Sequence, residues 1–350
     1  MRLIRCLLAC LVALAISTSA LARPLSRDEQ VLILPTTARW QERVIEARID
    51  VWVYELESRP GLTTLFAGYL DLDLDAMSSL DRQRFVERTQ LFRVDSESFK
   101  DIDVRLGGAT HRLPATGFDG RSSLPVEIPT AGLTPTRRWL KATVQMPHGD
   151  PRHFSGRMQL VPPEGLSVVS DIDDTIKVSQ VRERHQLLLN TFAREFVAVP
   201  GMAARYDDLK AIDGTRFHYV SGSPVQLYPP IAAFLRTGGF PAGSVHLRES
   251  TSIRNVIPGH GATRTHKLAA IGQLLADFPQ RRFLLVGDSG EADPEIYAEL
   301  ARAHPAQIAG IRIRDVTGEA ADAPRYRATF DGLPADLWQV YTEPATLRAP

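Results

Sequence analysis

The stretch Leu166-Ser167-Val168-Val169-Ser170-Asp171-Ile172-Asp173-Asp174-Thr175-Ile176-Lys177 decides the fold of this sequence. Its first five residues are typical of a short, buried, parallel strand. Three carboxylates follow within four positions, and Asp171 and Asp173 lie on the same side if the chain stays extended. Carboxylates that close repel each other unless a hard cation neutralises them, and one of them is then able to attack phosphorus.

Two other acidic stretches have similar spacing but a different context. Asp71-Leu72-Asp73-Leu74-Asp75 and Asp101-Ile102-Asp103-Val104 alternate acidic and apolar residues. Neither follows a continuous apolar run, and neither is followed by threonine. We therefore predict that both are half-exposed strands or turns without a chemical role.

Length and charge narrow the class of protein. A chain of 350 residues is long enough for two domains. The formal net charge is zero, so nothing indicates bulk attraction to nucleic acid or to an anionic membrane. Lysine is rare, so a lysine close to a candidate site is informative; it occurs at positions 100, 141, 177, 210 and 267.

The first 22 residues have the pattern of a secretory signal peptide. Arg2 and Arg5 precede an apolar run that is too short to span a bilayer, and an Ala-x-Ala pattern ends at Ala22. We predict cleavage after Ala22 and a secreted or periplasmic protein. Lipidation at Cys10 is a disfavoured alternative because the apolar run continues past it, and retention as an uncleaved anchor is a third.

Residues 23–163 are predicted to form a β-rich N-terminal domain. Short segments with β-branched and aromatic residues are separated by glycine and proline, which is typical of a small antiparallel sandwich. The predicted strands include residues 49–54, 65–70, 92–94, 101–104 and 142–145. Val161-Pro162-Pro163-Glu164-Gly165 is predicted to be the linker.

Residues 164–350 are predicted to form an α/β domain with a Rossmann-like parallel sheet, because short apolar runs alternate with helical patterns. The predicted strands are residues 166–170, 216–220, 244–247, 283–286 and 308–313. The predicted helices are residues 182–197, 225–236, 265–277 and 294–303. Thr265 is a candidate cap at the start of the third helix.

Four of these strands lead directly into polar residues. The first leads into Asp171, the second into Ser221-Gly222-Ser223-Pro224, the third into Arg248-Glu249-Ser250 and the fourth into Gly287-Asp288. Ligands bind outside the carboxyl ends of the strands in open parallel sheets. We therefore expect these separated pieces to meet at one edge of the sheet.

These residues carry a resemblance to a known superfamily. Asp171-x-Asp173-x-Thr175, Ser221, Lys267 and Gly287-Asp288 with Asp293 resemble the four motifs of the haloacid-dehalogenase-like superfamily. More narrowly, three motifs are similar to the actin-patch-protein type of phosphatidate phosphatase domain: residues 171–177, residues 220–224 and Gly287-Asp288-Ser289-Gly290-Glu291-Ala292-Asp293-Pro294-Glu295-Ile296-Tyr297. This similarity covers residues 166–342. Gly222 departs from the pattern, because a second small hydroxyl residue is expected there; its backbone amide is still able to face a phosphate oxygen.

The resemblance implies a role for each matching residue. It makes Asp171 the nucleophile that takes the phosphoryl group, and Asp173 the general acid and base. Ser221 and the Gly222 amide would hold phosphoryl oxygens, Lys267 would neutralise charge, and Thr175 would orient the loop. Mg²⁺ is the expected cofactor, held by Asp171 and Asp288 and by the Asp173 carbonyl, with Asp293 bound directly or through water.

The expected function is that of a Mg²⁺-dependent phosphatase which acts through an aspartyl-phosphate. The resemblance implies phosphatidate as the substrate, diacylglycerol as the product and peripheral contact with a membrane. The residues themselves leave two alternatives open: a phosphatase of a soluble phosphomonoester, and a non-catalytic module that binds lipid or phosphate. Arg248, Arg254 and Arg264 are further candidates for binding substrate phosphate.

Overall fold

The computed structural model describes residues 22–56, 61–134, 136–249 and 260–350. Residues 1–21 of the predicted signal peptide, which include Cys6 and Cys10, lie outside the described residues, and so does Arg254. The chain divides into two compact units: Met1–Ser58 with Arg93–Val161, and Arg59–Phe92 with Pro162–Pro350. The second unit therefore contains residues 59–92, which the sequence analysis assigned to the N-terminal domain.

The first unit is built on one hydrogen-bonded sheet of nine strands. These are β1 Glu29–Ile33, β2 Thr37–Trp40, β3 Val44–Leu56, β4 Val94–Ser96, β5 Asp103–Leu106, β6 Ala109–Arg112, β7 Arg121–Pro129, β8 Trp139–Val144 and β9 Ser155–Val161. Their order is β1-β3-β2-β9-β8-β5-β6, with β4 and β7 also paired to β3. The pairs are antiparallel except β2 with β9, which run parallel.

The long strand β3 supplies much of the core of the first unit. Ile45, Ala47, Ile49, Val51 and Val53 are buried at every second position. Successive side chains of a strand point to opposite faces, so this alternation turns one face of β3 toward the core.

The second unit contains six further strands and eight helices among the described residues. The strands are β10 Leu166–Ser170, β11 Arg216–Pro224, β12 Ser244–Arg248, β13 Arg282–Asp288, β14 Ile308–Arg314 and β15 Trp338–Tyr341. The helices are α1 Leu62–Tyr69, α2 Ser79–Gln90, α3 Arg184–Phe192, α4 Met202–Lys210, α5 Tyr228–Thr237, α6 His260–Asp277, α7 Asp293–Ala303 and α8 Pro324–Thr329. One-turn 3₁₀ helices lie at Val225–Leu227 and Pro344–Thr346.

The six strands form a parallel sheet in the order β12-β11-β10-β13-β14-β15. The predicted α/β class with a parallel sheet is thereby confirmed, and the five predicted strands coincide with β10 to β14. Strand β10 lies between β11 and β13, so the order of the strands reverses beside it. Such a switch point opens a crevice at the carboxyl edge of the sheet. Asp171 follows β10 at this point.

The prediction of a strand at residues 65–70 is wrong, because most of this segment lies in α1. Phe66 and Leu70 are buried four positions apart, and this helical spacing prevails over a composition typical of strands. Helix α2 begins with a side-chain cap, since the Ser78 hydroxyl accepts a hydrogen bond from the Asp81 amide at 3.1 Å. We refer to α1, α2 and the segment between them as the hairpin.

Helix α6 begins earlier than predicted, at His260, so the prediction of Thr265 as its cap is wrong. The Thr265 hydroxyl instead donates to the Gly261 carbonyl at 2.9 Å, inside the helix. The sequence analysis did not assign α4, α8 or β15 as elements. None of the helices in the described part of the chain has the length and apolar character needed to cross a membrane.

Candidate active site

The parallel sheet brings the predicted site residues together at one edge. Asp171 follows β10, Ser221 lies near the end of β11, and Asp288 is the last residue of β13. Helix α6 contributes Lys267, and Asp293 is the first residue of α7. All five side chains are buried.

Asp171 is almost completely enclosed and faces a lysine. Its Oδ1 lies 3.1 Å from Lys267 Nζ, and its Oδ2 accepts a hydrogen bond from the Thr175 hydroxyl at 3.2 Å. Burial raises the pKa of Asp171 well above its usual value, and the opposing effect of Lys267 does not cancel this. The Thr175 contact fits its predicted part in orienting the loop.

Asp171, Asp288 and Asp293 form an acidic cluster in which one oxygen of each lies within 4.8 Å of the others. Asp288 Oδ1 accepts a hydrogen bond from the Gly290 amide at 2.7 Å, whereas its buried Oδ2 has no hydrogen-bond partner among the described residues. Burial and the neighbouring Asp293 raise the pKa of Asp288. Converging carboxylates and an unsatisfied buried oxygen fit a hard divalent cation.

Lys267 places a positive charge beside this acidic cluster. Its Nζ lies 2.5 Å from Asp293 Oδ1 and 3.0 Å from Glu291 Oε2. Burial lowers the pKa of Lys267, but Asp171, Asp293 and Glu291 outweigh it and raise the pKa well above its usual value. The ammonium group is therefore charged at neutral pH. Glu291 was not singled out from the sequence, although it lies within the last quoted motif.

Asp173 belongs to a second network, separate from the acidic cluster. Its Oδ1 accepts a hydrogen bond from the Ser179 hydroxyl at 2.7 Å and lies 2.8 Å from Lys177 Nζ. Its Oδ2 accepts hydrogen bonds from the Ser221 and Ser223 hydroxyls at 3.1 and 3.2 Å.

These contacts set the charge of Asp173. Burial raises its pKa, but Lys177 and the hydroxyl groups outweigh burial and lower the pKa to about 2. An ionised carboxylate is able to accept a proton and has none to donate. The contacts therefore favour the base half of the predicted role over the acid half.

Lys177 and Ser179 were not assigned roles from the sequence. Lys177 is only 2% exposed, and its Nζ also donates to the Ser179 hydroxyl. The signal was present, because Lys177 ends the opening motif and is one of the few lysines in the chain. The spacing of the motif alone does not reveal that the chain turns back to bring Lys177 onto Asp173.

The structure gives a physical reason for the glycine at position 222. A Cβ atom there would lie 2.8 Å from both Cγ2 and Oγ1 of Thr263, on α6. The close approach of α6 therefore leaves no room for a side chain.

Two of the arginines that the sequence offered as candidates for binding phosphate have other contacts in the structure. Arg248 Nε donates a hydrogen bond to the Gly222 carbonyl at 3.2 Å, and Arg264 forms an exposed ion pair with Glu299.

Arg325 on α8 braces the loop that carries the acidic cluster. Its guanidinium group donates to the carbonyls of Ser289 and Glu291 at 2.6 and 2.8 Å. It also contacts both carboxylate oxygens of Glu295. One planar group with several donors thus fixes the loop between Asp288 and α7.

Two further contacts shape the loop after β10. Asp174 has a φ of 53°, and its carboxylate accepts hydrogen bonds from the amides of Ser179, Gln180 and Val181 at 2.7 to 2.9 Å. Arg314 donates to the Asp174 carbonyl at 2.6 Å. The Asp174 carboxylate therefore closes the loop through its hydrogen bonds with backbone amides.

The fold and site together define an α/β domain with an acidic ligand site at the switch point of a parallel sheet. Residues 166–315 match the family described as "Phosphatidate phosphatase APP1, catalytic domain". The resemblance predicted from the motifs is thereby confirmed for this segment.

Two curated relatives match a similar share of the chain. Phosphatidate phosphatase APP1 of Saccharomyces cerevisiae is 34% identical over 183 residues, which are 51% of this chain and 31% of that protein. An uncharacterized protein of Schizosaccharomyces pombe is 30% identical over 191 residues, which are 53% of this chain and 31% of that protein. The chain thus spans about a third of the length of the curated relatives it matches.

Proposed function

We propose that this protein is a Mg²⁺-dependent phosphatase that hydrolyses phosphatidate to diacylglycerol and phosphate. The observation that carries the proposal is the environment of Asp171: a buried carboxylate beside a charged lysine, with Asp288 and Asp293 close by. The similarity of residues 166–315 to a phosphatidate phosphatase catalytic domain supports the substrate. The proposed fold type is the haloacid-dehalogenase-like fold, preceded in the sequence by a small antiparallel β-sandwich domain.

Asp171, Asp288 and Asp293 would hold Mg²⁺, with the Asp173 carbonyl as a further ligand. The bound ion would offset the repulsion between Asp171 and the phosphate dianion. Asp171 attacks phosphorus, the bond to the alcohol oxygen breaks, and an aspartyl-phosphate forms. Lys267 neutralises the charge on Asp171 and on the phosphoryl oxygens, while Ser221 and the Gly222 amide bind those oxygens.

Asp173 handles the protons in both halves of the reaction. In the second half it takes a proton from the water that attacks phosphorus, which releases phosphate and frees Asp171. In the first half it gives a proton to the leaving alcohol oxygen. Asp173 must first gain this proton, and its contact with Lys177 opposes that in the conformation described here.

Two exposed apolar residues support contact with a lipid surface. Leu65 and Tyr69 lie four positions apart on one side of α1 and are 70% and 45% exposed. A secreted or periplasmic location remains the proposal that follows from the first 22 residues.

The test is a phosphatase assay on the purified protein with and without Mg²⁺. We expect phosphate release from phosphatidate in mixed vesicles, and loss of that activity when EDTA is added. A matched assay with small soluble phosphate esters decides the substrate class. Faster turnover of the soluble esters would reject phosphatidate, and no turnover of either substrate would reject the phosphatase function.

A further inference from the structure

The hairpin packs on the part of the second unit that follows the opening motif. Phe66 of the hairpin and Phe92, two residues after it, contact Phe192 of α3, with ring centroids 5.9 and 5.7 Å apart. Phe66 and Phe192 are both buried. Edge-to-face aromatic contacts of this kind stabilise a packed core, so the hairpin is an integral part of this unit. It lies far before the segment that matches the catalytic-domain family.

Arg88 of α2 joins the hairpin to the chain just after α3. Its Nη1 donates to the carbonyls of Thr191 and Arg194 at 3.0 and 2.8 Å. Its guanidinium carbon also lies 3.8 Å from the centroid of the Phe196 ring. The last carbonyls of a helix lack partners within that helix, and Arg88 supplies a partner for one of them. It fixes residues 191–196 by hydrogen bonds and by a cation–π contact.

The residues that follow pair with the opening motif. The Val178 amide donates to the Val197 carbonyl at 2.8 Å, and the Val199 amide donates to the Ile176 carbonyl at 2.9 Å. These bonds flank Lys177 on both sides. Lys177 Nζ lies 4.9 Å from the centroid of the same Phe196 ring and 2.8 Å from Asp173 Oδ1. An unbroken series of contacts therefore runs from Arg88 to Asp173.

We propose that the hairpin is a working part of the catalytic unit and that Arg88 is a positioning residue. Through Phe196 and the paired segments 176–178 and 197–199, Arg88 holds Lys177 against Asp173. This inference rests on the proposed function, because Arg88 is argued to act on Asp173, the residue that transfers the protons in that reaction. It also implies that residues 166–315 do not contain the whole machinery.

The kinetic test compares Arg88→Met with Arg82→Met. Arg82 lies on the same helix, but it is exposed and pairs only with the exposed Asp75 among the described residues. We expect Arg88→Met to lower kcat about tenfold or more with KM changed less than twofold, because Asp173 would lose the contact that holds it in place as the base toward water, and small misplacements of a catalytic group slow the chemistry. Arg88→Lys keeps a cation near Phe196 and should recover part of the loss. Arg82→Met should leave kcat unchanged.

A double-mutant cycle with Lys177→Met tests the route of the effect. If Arg88 acts through Lys177, the double variant should be no slower than Lys177→Met alone. If the loss of kcat in the double variant equals the product of the two single losses, the proposal is overturned. A folded Arg88→Met variant with kcat within twofold of the wild type would also overturn it.

Hydrogen exchange gives a readout that does not need activity. We expect Arg88→Met to speed exchange of the Val178 and Val199 amides about tenfold or more, with the central strands unchanged. Uniform acceleration, or none, would overturn the positioning role. If the wild-type protein releases no phosphate, the proposed function fails, and the exchange data still decide whether Arg88 holds this segment.

Discussion

Two acidic segments of this chain have similar sequences and different surroundings. In the segment of residues 71–75 the three aspartates are exposed, the Asp75 amide donates to Asp73 Oδ1, and Asp75 pairs with Arg82 at the surface. In the segment of residues 171–174 the three aspartates are buried. The first segment is a turn between two helices, and the second follows the strand at the switch point.

The difference shows that carboxylate spacing alone carries little information. What distinguishes the second segment is the set of partners that other elements bring to it, such as Lys267 from α6 and Ser221 from β11. Burial of a charge without such partners is unfavourable, so the partners and the buried carboxylates depend on each other. Substitutions in the two segments should therefore have effects that differ in kind as well as in size.

The largest expected effect is that of Asp171→Asn. Removal of the nucleophile should lower kcat by on the order of a thousandfold or more, with the fold retained. The measurement is phosphate release in the presence of Mg²⁺, with binding to phosphatidate vesicles measured in parallel. An unchanged rate would reject Asp171 as the nucleophile. If the wild-type protein binds the vesicles but releases no phosphate, the alternative of a non-catalytic binding module is favoured.

An intermediate effect is expected for Asp288→Asn, in both activity and stability. Because burial raises the pKa of Asp171, Asp288 and Asp293, these groups contribute stability below pH of about 4, and this contribution is lost as the pH rises through their folded pKa values. At pH 7 without metal, Asp288→Asn should therefore raise the free energy of unfolding by about 1–2 kcal/mol.

Thermal unfolding with and without Mg²⁺ completes this test. Mg²⁺ at about a hundred times its Kd should stabilise the wild type by about 2.7 kcal/mol, and the variant much less. A variant that is less stable than the wild type without metal, or that Mg²⁺ still stabilises equally, would contradict the proposed cation site.

The smallest expected effect is that of Asp73→Asn in the exposed segment. The asparagine Oδ1 atom is able to keep the hydrogen bond from the Asp75 amide, and no buried charge changes. We expect the free energy of unfolding to stay within about 0.5 kcal/mol of the wild type, and kcat to stay the same. A large loss of activity would mean that the two acidic segments are less different than their surroundings indicate.

The central sheet was predictable from the sequence because its strands are short apolar runs that end in polar residues. Strand β10 was predicted with its observed bounds, and β14 to within one residue. The hairpin helix α1 was missed because its aromatic and β-branched content outweighed a helical spacing of only two turns. Strand β15 was missed because it is only four residues long and its apolar and polar residues do not alternate regularly.

The side chains that meet at the sheet edge were predictable for a similar reason, since parallel strands share that edge. The partners of Asp173 were predictable only in part: Ser221 lies at a strand end, whereas Lys177 reaches Asp173 through a turn closed by Asp174. Arg88 and Arg325 act on backbone carbonyls, and a sequence carries no pattern for such contacts. Their positions depend on how distant helices pack.

The path of the chain also bears on the order in which the protein folds. The hairpin leaves the ribosome about a hundred residues before α3, because it interrupts the strands of the first unit. Until α3 is synthesised, the apolar side chain of Phe66 lacks Phe192, which it contacts in the native state. The last strand of the first unit, β9, ends at Val161, so this unit is complete before α3 emerges, while the hairpin must wait for α3. Nascent chains with such uncovered patches are prone to aggregate or to need chaperones.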